Sequence, residues 1–239
     1  MTRRYFVPEL PTNGGQISLP DPEAAHAIRV MRVRVDQEIS LFDGRGNESQ
    51  ATIVAVDRRH CHCVAAAAIQ VDRELPHSLV MGIALPKPDR CKELIERLTE
   101  IGVSEVWPLV AQRSQRPPSD TLLEKLRRTV IEACKQSGRN RLLTLHPSLT
   151  AVEFFTAPWA VPTARLIAHP GPPSRRDFNL SQSVVAAIGP EGGWTEEELQ
   201  IAHDNGYTCL HLGKRIYRIE TAATVIASIA ADAMENQAI

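Results

Sequence analysis

The sequence predicts an α/β protein in which a small β-barrel precedes a mainly parallel sheet with helices on both faces. Two different patterns of apolar and polar residues along the 239-residue chain support this prediction. Up to about Arg73, short alternating runs are separated by closely spaced turn signals, as in small barrels. From about Leu79, apolar strands alternate with amphipathic helices, which indicates parallel strands joined by helices. The boundary is expected between Arg73 and His77, giving domains of residues 1–73 and 74–239.

The first part contains a predicted β-hairpin. Glu38 to Phe42 alternates polar and apolar residues, DGRGN (Asp43 to Asn47) is a turn cluster, and Gln50 to Val56 returns as a second strand. His62 to Ile69 is a further candidate strand. The stretch HAIRVMRVR, His26 to Arg34, is expected to be a short helix that runs into a strand.

In the second part, glycines mark where the helices end. DRCKELIERLTEIG has apolar residues at helical spacing and stops at Gly102, and SDTLLEKLRRTVIEACKQSG stops at Gly138. Thr150 with Glu153 is a capping box for a short helix. The strands between and after them are SLVMGIAL, VSEVWPLV, RLLTLH, ARLIAH, SVVAAIG and CLHL. An alanine-rich helix, TAATVIASIAADAM, completes the series.

Composition narrows the classes of function. No apolar run reaches the roughly 18 residues of a membrane span, and MTRRYFVPEL lacks the apolar centre of a signal peptide. The cysteines number five and form no CxxC pair, which indicates reduced thiols and a cytoplasmic protein. A formal net charge of −1 argues against a generally basic surface, so a nucleic-acid partner would need a local patch.

The stretch IGPEGGWTEEEL, which starts at Ile188, follows a predicted strand and opens a helix. Ligands of parallel sheets bind at such strand ends. Thr195 and Glu198 form a capping box, and Gly192-Gly193 permit positive φ and close approach of a ligand. The P-loop lysine and the GxGxxG spacing are missing, and Glu196 to Glu198 would oppose a phosphate, so a neutral or cationic ligand is expected. A tight turn without a ligand is the alternative.

The stretch LGKRIYRIETA concentrates positive charge at another strand end. Lys214, Arg215 and Arg218 lie in a short turn between Gly213 and the helix that opens near Glu220. Capping and the helix dipole account for the glutamate but not for three cations. The alanines that follow leave room for a partner helix, although helix propensity also explains them.

Two polar clusters remain. KQSGRNR, Lys135 to Arg141, ends a helix, where cations are electrostatically expected, and it also suits contact with an RNA backbone. His60-Cys61-His62-Cys63 looks like a metal cluster, but strand alternation places the cysteines and histidines on opposite faces. No metal site is therefore expected, and no GxSxG-like nucleophile motif is present.

Three of these segments, IGPEGGWTEEEL, LGKRIYRIETA and EACKQSGRNR, follow HAIRVMRVR in one chain. Over essentially the whole length and in the family's order, they resemble the 16S ribosomal RNA (uracil-N3)-methyltransferase family, of the trefoil-knotted SPOUT class that uses S-adenosyl-L-methionine. The resemblance implies a PUA-like RNA-binding β-barrel over residues 1–73 and a knotted methyltransferase domain over residues 74–239. It also implies a homodimer with the cofactor cleft next to the subunit interface. The implied partner is 16S rRNA within the assembled small ribosomal subunit.

The resemblance also assigns site residues. Arg218 and Glu220 would lie beside the methyl donor. Tyr217 and Ile219 depart from the family pattern, so no side-chain role is carried over to Ile219. The residues that would contact RNA are Arg29, Arg32, Gln136 and Arg139. The residues that would line the cofactor site, largely through their backbones, are His169, Pro170, Ile188, Gly189, Pro190, Gly192, Gly193, Leu212, Gly213 and Ile216.

Methylation of uracil N3 sets three chemical demands. The enzyme must align N3 with the methyl donor, help the N3 proton to leave and stabilise charge on the carbonyl oxygens. Arg218 is the preferred group for the oxyanion, and Glu220 or Glu191 for the proton. Two alternatives stay open: a knotted methyltransferase acting on tRNA or on a ribose 2′-hydroxyl, and a non-catalytic RNA-binding protein. The predicted barrel and the segment EACKQSGRNR argue against an enzyme that acts on tRNA or on a ribose 2′-hydroxyl. A calorimetric titration with S-adenosylmethionine tests the non-catalytic alternative.

Overall fold

The computed structural model describes residues 3–114, 117–160, 163–170, 180 and 182–236. The chain divides into two compact units. The first combines Met1–Glu74 with Ile131–Leu142, and the second combines Leu75–Val130 with Leu143–Ile239. The segment 131–142, which contains KQSGRNR, thus folds with residues more than fifty positions earlier in the chain.

The first unit is built on a six-stranded sheet with the order β1-β3-β4-β5-β2, and β6 pairs with β4. The predicted hairpin is confirmed, because β3 and β4 pair antiparallel, whereas β1 and β3 run parallel. Apolar side chains such as Ile39, Leu41 and Ile53 form its core. The strands are β1 Arg3–Phe6, β2 Gly15–Ser18, β3 Glu38–Phe42, β4 Asn47–Val56, β5 Cys61–Ala65 and β6 Ile69–Gln70.

HAIRVMRVR is helical at its start only. Helix α1, Asp21–Ala25, continues into a π-helical turn, His26–Val30. The strand predicted to follow is wrong, since residues 31–37 form no strand and β3 begins only at Glu38. Arg32 (φ 49°) and Asp36 (φ 67°) adopt left-handed conformations that an extended strand cannot contain.

Strand β5 shows the predicted alternation. Cys61 and Cys63 are fully buried, whereas His62 lies half-buried on the other side of the strand and Val64 is exposed. The cysteines and histidines of HCHC therefore point to different faces.

The second unit contains a seven-stranded sheet in which every pair is parallel, as predicted. The order is β10-β8-β7-β12-β11-β13, and β9 pairs with β8. RLLTLH yields a shorter strand than predicted. The strands are β7 Leu79–Ile83, β8 Glu105–Val110, β9 Thr144–Leu145, β10 Leu149–Thr150, β11 Thr163–Ala168, β12 Ser183–Ile188 and β13 Thr208–Leu210.

Four helices begin or end at the residues that the predicted local signals mark. Gly102 (φ 103°) and Gly138 (φ 84°) are left-handed just after two of them, and Thr150 and Thr195 cap two others through capping boxes. Within the described part of the chain, every helix is too short or too polar to cross a bilayer. The helices are α2 Pro88–Ile101, α3 Asp120–Ser137, α4 Ala151–Thr156, α5 Glu196–Asp204 and α6 Ile219–Glu235.

Helices cover both faces of the parallel sheet. On one face, α4 packs against α5, β8 and β10, and a Cβ on Gly82 of β7 would lie 2.6 Å from the Phe154 ring. On the other face, α6 packs against α2, β7 and β12. Helix α6 therefore returns from β13, at the edge of the sheet, to strands beyond β11. The predicted knot needs such a return, and the threading itself stays a prediction.

Candidate active site

Three neighbouring strands of the second unit end at one level. Ala168 of β11 is in register with Ile188 of β12 and with Leu210 of β13. The loops that follow these strands, together with the start of α6, enclose a cavity of about 290 Å³, which we call the strand-end cavity. Its position at the carboxyl ends of parallel strands is the one that ligands of such sheets occupy.

The strand-end cavity brings together the predicted cofactor residues from three separate stretches of sequence. Gly192 is the exception: it is exposed, outside the wall, and its carbonyl accepts a hydrogen bond from Arg113 at 3.0 Å. The predicted residues on the wall are His169, Pro170, Ile188, Gly189, Pro190, Gly193, Leu212, Gly213 and Ile216.

Trp194 is a wall residue that sequence reasoning missed. Its indole Nε1 donates to the carbonyl of Ala168 at 3.0 Å, and the side chain is buried. A Cβ on Gly189 would lie 2.8 Å from the indole ring, so only glycine leaves room for this tryptophan. The signal was present in the sequence, since Trp194 directly follows the two glycines of the motif.

Arg113 was also missed, and no local signal would have found it. Its guanidinium donates to the carbonyls of Gly192 (3.0 Å) and Trp194 (3.1 Å), which lie 79 and 81 residues away in sequence. Arg113 thereby fixes the outer turn of the loop between β12 and α5.

The three glutamates at the start of α5 have different surroundings. Glu198 is buried and accepts hydrogen bonds from the backbone nitrogens of Thr195 (2.9 Å) and Gln112 (2.8 Å). Glu196 and Glu197 are exposed and do not line the cavity. Helix capping therefore accounts for Glu198, and Glu191 supplies the carboxylate on the wall.

The structure separates the predicted catalytic residues. Arg218 and Glu191 lie on the wall, as does Arg215, but Glu220 does not. The Glu220 carboxylate, in the first turn of α6, pairs with Arg90 of α2 at 3.4 Å. Its Oε2 is buried without a partner among the described residues.

His169 presents an unsatisfied ring nitrogen at the strand-end cavity. Its Nδ1 is buried and has no hydrogen-bond partner in the described structure, while its carbonyl accepts from Nδ1 of His211 at 2.6 Å. Burial first, and His211 second, lower the pKa of His169 below its usual value, so the ring is neutral near neutral pH. A neutral ring with an unpaired nitrogen can accept a hydrogen bond from a ligand or donate one to it, and it does not repel a cation.

The predicted RNA-binding residues differ in exposure. Arg29, Arg32 and Gln136 are exposed on the first unit. Arg139 is buried, and its Nε lies 3.0 Å from both carboxylate oxygens of Glu74. Its guanidinium is thus held inside the unit by a charge-assisted fork.

A polar network around Asn140 ties KQSGRNR to strands of the first unit. The side-chain oxygen of Asn140 accepts from Arg4 at 2.6 Å, and its amide donates to Glu48 at 3.1 Å. Arg73 donates to the same glutamate at 2.9 Å. These pairings explain why residues 131–142 fold with the N-terminal sheet.

Comparisons with known proteins agree with this architecture. The family model of the RNA methyltransferase domain matches residues 73–231, and that of the RNA methyltransferase PUA domain matches residues 19–65. Ribosomal RNA small subunit methyltransferase E from Synechocystis is 32% identical over 215 residues, 87% of this chain and 70% of that protein. The Bacillus subtilis protein of the same name is 27% identical, with 92% of each chain covered.

Solved structures show the same fold with a ligand. Ribosomal RNA small subunit methyltransferase E from Neisseria gonorrhoeae, bound to S-adenosylmethionine, superposes with a TM-score of 0.88 at 29% identity over 99% of this chain and 98% of that one. A Legionella pneumophila methyltransferase, in complex with the same cofactor, reaches 0.91 at 28% identity over 98% of both chains.

The family models identify the domain that carries the strand-end cavity as an RNA methyltransferase domain and the first part of the chain as its PUA domain, so the protein is an RNA methyltransferase. The similar proteins indicate which family of RNA methyltransferases this is. The chain belongs to the ribosomal RNA small subunit methyltransferase E family, which confirms the resemblance found in the sequence.

Proposed function

We propose that this protein transfers the methyl group of S-adenosylmethionine to N3 of a uracil in 16S rRNA, in the cytoplasm. The observation that carries the proposal is the strand-end cavity, whose wall gathers the motif loops of the family. The cofactor-bound structures of the Neisseria and Legionella relatives, at 29% and 28% identity, support the choice of donor. The substrate context is the assembled small subunit, and residues 1–73 serve RNA binding while residues 74–239 carry out transfer.

The wall of the strand-end cavity suits S-adenosylmethionine. Gly189, Gly193 and Gly213 expose backbone groups to a ligand, and the unpaired Nδ1 of His169 can meet a polar atom of the cofactor. Because His169 is neutral, it does not repel the sulfonium. When bound, the cofactor supplies an electrophilic methyl group.

Side chains on the same wall provide the acid–base chemistry. A uracil N3 must lose its proton, and the resulting negative charge spreads onto the carbonyl oxygens. Arg218 and Arg215 place positive charge where that oxyanion develops. The carboxylate of Glu191 accepts the N3 proton, directly or through one water. Glu220, paired with Arg90, positions the first turn of α6 beside Arg218.

RNA recognition falls to arginines on the first unit. Arg29 is exposed on the π-helical turn after α1, and Arg32 is exposed on the irregular segment that follows this turn. Arginine contacts phosphate through two parallel hydrogen bonds. Left-handed non-glycine residues such as Arg32 are concentrated at functional sites. Gln136 is exposed and adds a neutral contact, while Arg139 supports the segment from inside.

The active form is a homodimer. Ile216 lies on the rim of the strand-end cavity with 88% of its surface exposed, which is unusual for a large apolar side chain. A second subunit covers this rim and completes the cleft.

The decisive experiment measures methyl transfer by Arg218→Ala to small ribosomal subunits with a labelled donor. We expect the rate to fall by about 10²-fold or more, because an oxyanion-stabilising group is lost. Lys214→Ala is the matched control, since Lys214 is exposed in the same loop but does not line the cavity. Undiminished transfer by a folded Arg218→Ala protein removes Arg218 from the mechanism.

Mass mapping of modified nucleotides identifies the acceptor. Ribosomal RNA from a deletion strain should lack one N3-methylated uracil that reappears when the protein is restored. If the deletion strain instead lacks a methyl group on tRNA or on a ribose 2′-hydroxyl, that group, and not a uracil N3 of 16S rRNA, is the acceptor. Absence of heat in a calorimetric titration with S-adenosylmethionine would instead indicate a non-catalytic RNA-binding protein.

A further inference from the structure

A second cavity, of about 550 Å³, meets the strand-end cavity along a shared wall. Pro190 and Glu191 line both of them. The rest of the second cavity is formed by the loop from β7 into α2, by Leu109 and Ser114, and by residues 117–119 and Leu122 at the start of α3. Its volume lies within the range of small-molecule sites, roughly 300–1,000 Å³.

The shared wall determines what the second cavity can contribute to methyl transfer. A transferred methyl group must find its acceptor atom at close range, so the acceptor has to enter from a space adjoining the donor. The second cavity adjoins the strand-end cavity at Glu191, the residue proposed to take the acceptor's proton.

The lining of the second cavity combines apolar side chains with serine hydroxyls. Pro118 and Leu122 contribute apolar surface for the faces of a planar ring. Oγ of Ser114 accepts from the backbone nitrogen of Ala111 at 2.9 Å, and Oγ of Ser119 accepts from that of Leu122 at 3.3 Å. A hydroxyl that accepts a backbone N–H keeps its own hydrogen as a donor.

We propose that this second cavity, which we call the acceptor pocket, binds one unstacked uridine nucleotide of the RNA. The proposal rests on the proposed function and assigns its acceptor site. The hydrogen-bonding edge of uracil presents two carbonyl acceptors on either side of one N–H donor. The residues that define the acceptor pocket here are Lys87, Ser114, Ser119, Leu122, Pro190 and Glu191.

The donor and acceptor inventory favours uracil over cytosine. The hydroxyls of Ser114 and Ser119 donate to the carbonyls, and the carboxylate of Glu191 accepts from N3–H. Cytosine has a lone pair at N3, which would face the carboxylate without a hydrogen bond. Lys87, exposed at the pocket, supplies a cation for the phosphate of the same nucleotide.

The test fills the acceptor pocket and leaves the strand-end cavity unchanged. Leu122→Trp adds bulk to the pocket, and Thr121→Trp places the same side chain on the neighbouring exposed position, which does not line it. For Leu122→Trp we expect unchanged calorimetric affinity for S-adenosylmethionine and a fall in kcat/KM on small subunits of about tenfold or more. Thr121→Trp should stay within about twofold of the unmodified protein.

A direct binding measurement accompanies the kinetics. Saturation-transfer NMR with S-adenosylhomocysteine present should detect uridine 5′-monophosphate, give a weaker signal for cytidine 5′-monophosphate, and lose the uridine signal in Leu122→Trp. If Leu122→Trp transfers methyl groups and binds uridine 5′-monophosphate like the unmodified protein, the acceptor pocket is overturned while the proposed function stands. If the unmodified protein methylates no ribosomal RNA, the proposed function fails, and a uridine signal abolished by Leu122→Trp still supports the pocket.

A charge-reversal variant provides a second test of the acceptor pocket if Leu122→Trp does not fold. Lys87→Glu changes an exposed side chain of the acceptor pocket, and Lys92→Glu makes the same change on α2 outside it. We expect Lys87→Glu to raise KM for small subunits about tenfold more than Lys92→Glu does. Equal KM values for the two variants would overturn the assignment.

Discussion

The indole of Trp194 packs directly over Gly189, where a Cβ would lie 2.8 Å from the ring. The same indole donates to the carbonyl of Ala168, so the loop after β12 is tied to the end of β11. One glycine and one tryptophan, five residues apart, thereby shape a wall of the strand-end cavity.

Gly189→Ala should destabilise the protein because the new methyl group overlaps a ring held by burial and a hydrogen bond. We expect a loss of about 1–3 kcal/mol in the free energy of unfolding, measured with denaturant, together with weaker binding of S-adenosylmethionine. The same change in a Trp194→Leu background should cost less. Equal costs in both backgrounds would show that the ring is not the obstacle.

Glu198→Ala should cost about 2–3 kcal/mol of stability, because it removes the buried carboxylate that accepts hydrogen bonds from the backbone nitrogens of Thr195 and Gln112. Glu197→Ala, one position earlier and exposed, should change stability by less than about 0.5 kcal/mol. Urea denaturation of both variants compares the two positions. Similar losses would mean that general helix electrostatics, rather than the cap, makes the run of glutamates favourable.

Arg139→Ala should destabilise the first unit by about 3–5 kcal/mol, because it leaves the carboxylate of Glu74 largely buried without its partner. Gln136→Ala, on an exposed neighbour in the same segment, should stay within about 0.5 kcal/mol. Denaturant unfolding of both proteins separates a structural from an RNA-binding role. A stable Arg139→Ala protein with weakened binding to small subunits would assign Arg139 to the RNA instead.

His169 should make stability fall as the pH is lowered. Its pKa is depressed in the folded protein, so between the unfolded value of about 6.5 and the lower folded value the unfolded chain binds more protons. The free energy of unfolding therefore rises with pH through this window. His169→Gln should flatten that slope, which denaturant titrations at several pH values between about 5 and 7.5 can measure. An unchanged slope would exclude His169 as its source.

Local signals predicted the helices and the main strands well. Gly102 and Gly138 end helices through a left-handed residue, and the Thr195 capping box starts another, because each of these effects involves atoms only a few residues apart. Strand alternation likewise placed Cys61 and His62 on different faces of β5. The prediction of a strand at the end of HAIRVMRVR was wrong, because Arg32 and Asp36 adopt left-handed conformations that only glycine signals reliably in a sequence.

The sequence by itself determined the parallel sheet, the ends of its helices and, through three motifs, the family of the protein. Only the tertiary structure decided that Arg139 pairs with Glu74, that Glu220 pairs with Arg90 instead of lining the strand-end cavity, and that two cavities meet at Glu191. Helix caps and strand alternation depend on residues that are close together in the sequence, so they can be predicted from it. Pairings such as Arg113 with the carbonyl of Gly192, across 79 residues, arise only when packing brings distant segments together.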